Sequence, residues 1–90
     1  MATFRVEHRH ALPPEEAVRR VKEVLEQRVG GRAEVVWDGH DASFSGSGFS
    51  GSATIREGFV SVDVDLSFLL RPMRGAIETK LTEALQRGLA

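Results

Sequence analysis

The chain has 90 residues, no cysteine, and 12 Lys and Arg against 13 Asp and Glu, for a formal net charge of −1. Hydrophobic residues make up 41% and charged residues 28%, the balance of a globular protein, and we expect residues 1–90 to form a single domain. A near-neutral charge argues against nucleic-acid binding, which depends on a basic surface. The lack of cysteine excludes disulfides and thiolate metal sites.

The localisation that the sequence predicts is cytoplasmic. The first residues lack the basic segment and apolar stretch of a secretory signal. The longest apolar run, Phe68 to Leu70, is far too short for a transmembrane segment.

The first predicted elements are a strand and a helix. Residues 3–10 alternate between the two faces of a half-buried strand. Pro14 followed by Glu15 and Glu16 favours a helix start, because proline needs no amide hydrogen bond there and carboxylates interact with the positive end of the helix dipole. The apolar residues that follow repeat at helical spacing: Ala17, Val18, Val21, Val24, Leu25 and Val29.

The middle of the chain predicts an antiparallel meander. From residue 32 to residue 68 the hydrophobic period is two, and turn residues at Asp38-Gly39, Gly46-Ser47-Gly48 and Glu57-Gly58 divide the segment into four strands. The last strand is the clearest, with one face formed by Val60, Val62, Val64, Leu66 and Phe68. The opposite face of these strands carries serine, threonine and aspartate, so we expect it to be solvated.

The end of the chain predicts a second helix that begins at Pro72. Its buried stripe is formed by Met73, Ile77, Leu81, Ala84, Leu85 and Leu89. The element order is β-α-β-β-β-β-α, and each helix has one apolar stripe to bury. We therefore predict an α+β fold, a curved antiparallel sheet with both helices on one face.

The position of the first strand in this sheet can be predicted from charge. If it lies antiparallel beside the fifth strand, Arg5 and Arg9 face Asp63 and Asp65 as cross-strand pairs. The outer strands leave open edges, which also allow a homodimer.

Three groups of residues have types and spacings that could suggest a site of chemistry. His8 and His10 share one strand face and suggest a His-x-His metal site, but partly exposed rim histidines explain the pattern better. Asp63 and Asp65 are alike and open, unlike an acid–base pair. The glycine-rich segment 46–52 lacks the Gly-Lys-Ser/Thr ending of a phosphate loop. We predict no catalytic residue, no metal site and no cofactor.

The most suggestive local feature is the junction segment, residues 68–74, between the last strand and the second helix. It holds four bulky apolar side chains, Pro72 and two arginines. One interpretation is that it closes one end of the core. The other is an exposed apolar rim with cationic flanks, suited to a partner protein or a lipid-like surface.

Short motifs occur in order along essentially the whole chain. They are His8-Arg9-His10-Ala11-Leu12, Pro14-Glu15-Glu16-Ala17, Trp37-Asp38-Gly39, Phe44, Gly48-Phe49-Ser50-Gly51, the strand 60–68 with Leu69-Leu70, Ile77-Glu78, Leu81 and Ala84-Leu85. In these motifs the chain resembles the small polyhydroxyalkanoic acid system proteins, a family named for bacterial systems that make and store polyester granules. The resemblance implies a non-enzymatic accessory role at the polyhydroxyalkanoate granule or at a granule protein. We place that contact in the junction segment, with Leu69, Leu70 and Met73 as apolar anchors and Arg71 and Arg74 as flanking cations.

The element order also resembles a minimal version of the helix-grip arrangement of START-like lipid-binding proteins. This resemblance implies an alternative function, in which an acyl or other apolar ligand lies between helix and sheet in a pocket lined by Trp37, Phe44, Val62 and Ile77. In so short a chain, however, we expect large side chains to fill that space.

Overall fold

The computed structural model of the protein describes residues 3–29, 31 and 33–89. In these residues the strands are β1 (Phe4–Arg9), β2 (Ala33–Asp38), β3 (Asp41–Gly46), β4 (Phe49–Arg56) and β5 (Phe59–Leu66). The helices are α1 (Pro14–Val29) and α2 (Arg74–Gly88). The predicted α+β fold and its order β-α-β-β-β-β-α are confirmed.

The five strands form one antiparallel sheet in the order β1-β5-β4-β3-β2. Two of the hairpins turn at glycines with left-handed backbone, Gly39 with φ of 63° and Gly58 with φ of 89°. The first strand lies beside the fifth, as predicted, with Phe4 opposite Val64 and Val6 opposite Val62. The two edge strands of the sheet are therefore β1 and β2.

The predicted charge pairing across β1 and β5 is half right. Arg5 lies opposite Asp63, and its Nε donates to the Asp63 carboxylate at 2.5 Å. This pairing raises the pKa of the Arg5 guanidinium. The prediction that Arg9 faces Asp65 is wrong, because the register puts Arg9 opposite Phe59 and Ser50 opposite Asp65.

Both helices pack on the same face of the sheet. Ala17 and Val21 of α1 and Leu85 of α2 are almost fully buried against inward side chains such as Ile55 and Val62. The helices also approach each other closely, since a Cβ on Gly88 would lie 2.7 Å from Val24 Cγ2. The predicted buried stripe of α1 is correct at Ala17, Val21, Val24 and Leu25, and Val18 packs partly buried against the core. The side chain of Val29 lies outside the described part of the chain.

The structure differs from prediction where β5 ends. The strand stops at Leu66. The Ser67 amide still makes the last bond of the β4–β5 ladder, to the Gly48 carbonyl at 2.8 Å, but the Ser67 carbonyl then accepts from the Leu70 amide at 2.9 Å, and this local bond turns the chain out of the strand. Phe68, predicted on the inward face of the strand, is 75% exposed in the resulting turn.

The second helix also begins later than predicted. A short 3₁₀ turn occupies Arg71–Met73 before α2 begins at Arg74. Met73 therefore precedes the helix and is 52% exposed instead of opening its buried stripe. From Ile77 onward the predicted stripe is correct, with Ala84, Leu85 and Leu89 buried and Ile77 and Leu81 packed against the core.

Replacement of Gly51 by alanine is predicted to destabilise the protein by about 2 to 4 kcal/mol, because a side chain there overpacks a filled region. A Cβ at Gly51 would lie 2.6 Å from Phe44 Cζ and would also strike the Asp63 carbonyl oxygen. The matched control is Gly75→Ala, where no atom lies within 4 Å of the added Cβ. We expect this control to gain about 0.5 to 1 kcal/mol from the lower flexibility of its unfolded chain. Urea denaturation would measure the free energy of unfolding of both variants. Equal changes in Gly51→Ala and Gly75→Ala would contradict the close packing at Gly51.

Low pH is predicted to lower the stability of the folded protein through the protonation of Glu16 in α1. Arg19 and Arg20 both donate to the Glu16 carboxylate, and these hydrogen bonds, Arg19 first, lower the pKa of Glu16 below its ordinary value of 4.5. A lowered folded-state pKa contributes stability that is present above pH 4.5 and is lost as pH falls through the lower value. Glu16→Gln should therefore be less stable than wild type near neutral pH and should flatten the acid limb of stability against pH. An unchanged acid limb in Glu16→Gln would show that this cluster does not couple folding to pH.

Candidate surface and pocket at the strand-to-helix junction

The junction segment presents three large apolar side chains to solvent. Phe68 is 75% exposed, Leu69 is 73% exposed and Met73 is 52% exposed. We call these three residues the apolar rim. The other large apolar side chains that are exposed in the described chain, Val36 and Phe59, lie on strands β2 and β5 rather than in this segment. The rim is thus the densest exposed apolar group in the described sequence.

Leu70 lies between the rim residues but points the other way. It is half-buried and packs against the core. Gly48 permits this packing, since a Cβ there would lie 2.9 Å from Leu70 Cδ1, and its φ of +87° is a backbone conformation that favours glycine. Of the two interpretations of the junction segment, each is correct for part of it: Leu70 closes the core, and its neighbours form an exposed rim.

Backbone hydrogen bonds fix the rim to the sheet. The amides of Leu70 and Arg71 both donate to the Ser67 carbonyl, at 2.9 and 3.1 Å, and the Met73 amide donates to the Leu70 carbonyl at 2.9 Å. The rim side chains are therefore held out by an ordered turn.

Two cations flank the rim. Arg71 is exposed, and its Nε donates to the Leu66 carbonyl at 3.3 Å, so that the guanidinium is tied to the end of β5. Arg74 is also exposed and lies 3.9 Å from the Glu78 carboxylate on the next turn of α2. At that distance the ion pair is weak, and an exposed pair of this kind contributes little to stability.

An apolar pocket of about 220 Å³ lies behind the rim. Its inner walls come from the sheet and from α1, through Phe44, Val62, Val64, Leu66 and Leu25, all of which are buried. Its outer walls are Phe49, Leu70, Ile77 and Leu81, which are only partly buried. The pocket therefore reaches the surface on the side where α2 and Leu70 cover the sheet.

The pocket corrects the expectation that side chains fill the space between helix and sheet. Phe44 and Phe49 contact each other with ring centroids 6.4 Å apart, yet a volume remains beside them. Of the side chains predicted to line a pocket, Phe44, Val62 and Ile77 do line it.

Trp37, the fourth predicted side chain, is not part of this pocket. It lies beside Lys22 of α1, whose Nζ is 5.3 Å from the centre of the indole ring, a cation–π contact. Because β2 is an edge strand, Trp37 covers the outer flank of α1 instead of the core centre.

Sequence reasoning missed two features of this region. Phe68 was assigned to the core, and Leu70 was grouped with the exposed anchors, because alternation along a strand does not show where the strand ends. The outer walls of the pocket, Phe49 and Leu81, carried no signal, since an apolar stripe looks the same whether it packs tightly or leaves a gap.

His10 forms a structural contact. The Leu12 amide donates to His10 Nδ1 at 3.1 Å, so that Nε2 carries the proton and donates to the Arg56 carbonyl, also at 3.1 Å. Both ring nitrogens of His10 are thereby used. Among the described residues no group of three or more His, Asp or Glu is arranged to hold a metal ion.

The open sheet face consists of rows of small polar side chains. One row runs Glu34, Ser45, Ser50, Asp65 across four strands, and the next includes Ser43, Ser52 and Asp63. These side chains line a broad shallow depression of about 500 Å³. The face has the polar character predicted for it except at Val36 of β2 and Phe59 of β5, two exposed apolar side chains.

Within the part of the chain that the structure describes, neither helix is long and apolar enough to cross a membrane. Residues 4–89 match a family model described as "Putative polyhydroxyalkanoic acid system protein". No curated protein and no solved structure gave a significant match.

The contact between Gly48 and Leu70 is predicted to determine where the rim lies. Gly48→Ala forces a side chain both into left-handed backbone and against Leu70, whereas Gly58→Ala, with φ of +89°, adds the same backbone strain where no atom lies within 4 Å. We expect Gly58→Ala to lower the free energy of unfolding by about 1 to 2 kcal/mol, and Gly48→Ala to lower it by about 1 to 2 kcal/mol more than that. Urea denaturation measures the difference, and methyl NMR would show whether Leu70 shifts in Gly48→Ala alone. Equal costs would mean that Leu70 is not seated on Gly48.

Proposed function

Because the chain belongs to the family of polyhydroxyalkanoic acid system proteins, we propose that it is a non-enzymatic accessory protein of polyhydroxyalkanoate storage. It binds the granule surface, or a protein on that surface, through the junction segment. The observation that carries this proposal is the apolar rim, in which Phe68, Leu69 and Met73 are all at least half exposed within six residues. The family description names a system and no reaction, which agrees with an accessory role.

The rim supports reversible adsorption. Fully burying a large apolar side chain is worth about 1.5 to 3 kcal/mol. Since the three side chains are between half and three quarters exposed, contact with an apolar surface recovers about 1 to 2 kcal/mol from each. The sum, roughly 3 to 6 kcal/mol, corresponds to millimolar to tens of micromolar affinity for a single contact. A protein that exchanges on and off a granule needs an interaction of this size.

The arginines supply polar contacts beside the apolar ones. A polyester surface exposes ester carbonyl oxygens, which accept hydrogen bonds, and a guanidinium group is a donor only. Arg71 and Arg74 flank the rim and are exposed. They would therefore donate to carbonyl groups of the polymer while the rim side chains contact its alkyl groups, or would pair with carboxylates of an acidic granule protein.

Co-sedimentation with purified polyhydroxyalkanoate granules distinguishes the two targets. Granules would be tested with their native proteins and after these have been stripped. Binding to stripped granules would mean that the protein contacts the polymer itself. Binding to unstripped granules alone would identify a granule protein as the target. Binding to neither would refute the proposal.

The triple variant Phe68→Ser, Leu69→Ser, Met73→Ser is predicted to lose at least about tenfold in granule affinity, since the rim provides most of the apolar contact. It should keep its stability, because these side chains are exposed. The matched control is Val36→Ser with Phe59→Ser, which removes exposed apolar side chains elsewhere on the surface. Sedimentation would be measured alongside urea denaturation. If the control loses as much binding as the triple variant, adsorption does not depend on the junction segment.

A further inference from the structure

We propose that the pocket behind the rim binds an alkyl side chain of the storage polyester, so that the protein prefers polymers whose repeat units carry side chains of about five carbons. This inference rests on the proposed function and names the part of the granule that the protein recognises. A polyhydroxyalkanoate is a polyester of hydroxy acids, and its repeat units differ in the length of their alkyl side chains. The pocket would then discriminate among polymers that the rim alone treats alike.

The size of the pocket matches such a side chain. A dry apolar cavity of about 150 Å³ accommodates benzene, with six carbons. A volume of about 220 Å³ therefore has room for an unbranched chain of roughly five to seven carbons. A methyl side chain would leave most of that volume unfilled.

The lining of the pocket matches the chemistry of an alkyl group. All the side chains that form its walls are aliphatic or phenyl groups, from the sheet, α1, α2 and Leu70. A ligand with a buried hydroxyl, amide or charge would find no side-chain partner there and would be penalised. Only a purely hydrocarbon group satisfies this lining.

The pocket and the rim are neighbours. Leu70 forms part of the outer wall of the pocket, and in the sequence it lies between Leu69 of the rim and Arg71. Met73 of the rim immediately precedes α2, and Ile77 of the outer wall lies in the first turn of that helix. An apolar surface that covers the rim therefore also covers the opening of the pocket, where its side chains can enter.

The proximity of rim and pocket favours the polymer over a free alkanoic acid as the source of the alkyl chain. A soluble acid would occupy the pocket and leave the rim exposed to water. A polyester surface covers the rim and fills the pocket at the same time, so it accounts for both features with one partner.

The test compares adsorption of the intact chain to protein-free particles of two polyesters, one with methyl and one with pentyl side chains. Each buried methylene strengthens binding about fourfold, and four methylenes distinguish the two polymers. We expect at least about tenfold tighter binding to the pentyl polymer. Equal affinity for the two polymers would overturn the inference and leave the proposed function standing, whereas binding to neither would overturn both.

Two variants that fill the pocket test its role directly. Ile77→Phe enlarges an outer wall of the pocket, and the matched control, Thr79→Phe, adds the same aromatic ring to the exposed side of α2. We expect Ile77→Phe to abolish the preference while it retains binding to the methyl polymer, and Thr79→Phe to keep the preference. If circular dichroism shows that Ile77→Phe does not fold, Leu81→Phe replaces it. The adsorption of the wild-type chain to the two polymers tests the inference without either variant.

Sodium heptanoate serves as a soluble probe for the other possible source of the alkyl chain, a free alkanoic acid. Titration followed by methyl NMR would report on Val62 and Val64 inside the pocket. Saturable heptanoate binding together with equal affinity for the two polymers would assign the pocket to a free acid and overturn its role in polymer recognition. Competition by heptanoate against the pentyl polymer, with no effect on the methyl polymer, would support that role.

Discussion

Two helices have to cover one face of a five-stranded sheet, and this constraint governs the rest of the structure. Each helix has a single apolar stripe, and the two pack closely enough that Gly88 can carry no side chain against Val24. The inward face beneath them is buried from Phe4 of β1 to Phe44 of β3. The opposite face receives no helix and is polar throughout its central rows. In so small a domain the covering layer has no spare element with which to close its open end.

That open end lies where the chain passes from β5 to α2. Leu70 is the side chain that closes it, and it does so by packing on the backbone of Gly48, where any side chain would collide with it. Because Leu70 turns inward within a tight turn, its neighbours Phe68 and Leu69 must turn outward. The pocket and the rim thus have one cause. A single leucine closes the core incompletely, which leaves a volume behind it and exposes apolar side chains on either side.

The strands and helices could be predicted from sequence because their signals are local. Alternation along residues 59–66, turn glycines with positive φ and a proline before two glutamates each act within a few residues. Even the neighbours β1 and β5 followed from the charges of Arg5 and Asp63. The end of β5 had no such signal. The amides of Leu70 and Arg71 fold back on the Ser67 carbonyl, and this turn ends β5 two residues before its apolar pattern ends. Three lining residues of the pocket could be predicted from the two faces that meet there, but its open volume could not, since a volume depends on how three elements pack together.

In the function that we propose, the rim and the pocket make different contributions to recognition of a polyester surface. Contact at the rim depends on exposed area, which any apolar material provides, so it yields attachment without much choice of polymer. A pocket with fixed walls responds to the length of the group that enters it, because unfilled volume forfeits contacts and excess length does not fit. Phe44, Val62 and Leu66 are buried side chains of sheet strands, so the proposed selectivity would come from the inner wall of the pocket. Selectivity therefore depends on packing inside the domain, and attachment depends on a turn at its surface, so the two can be altered separately.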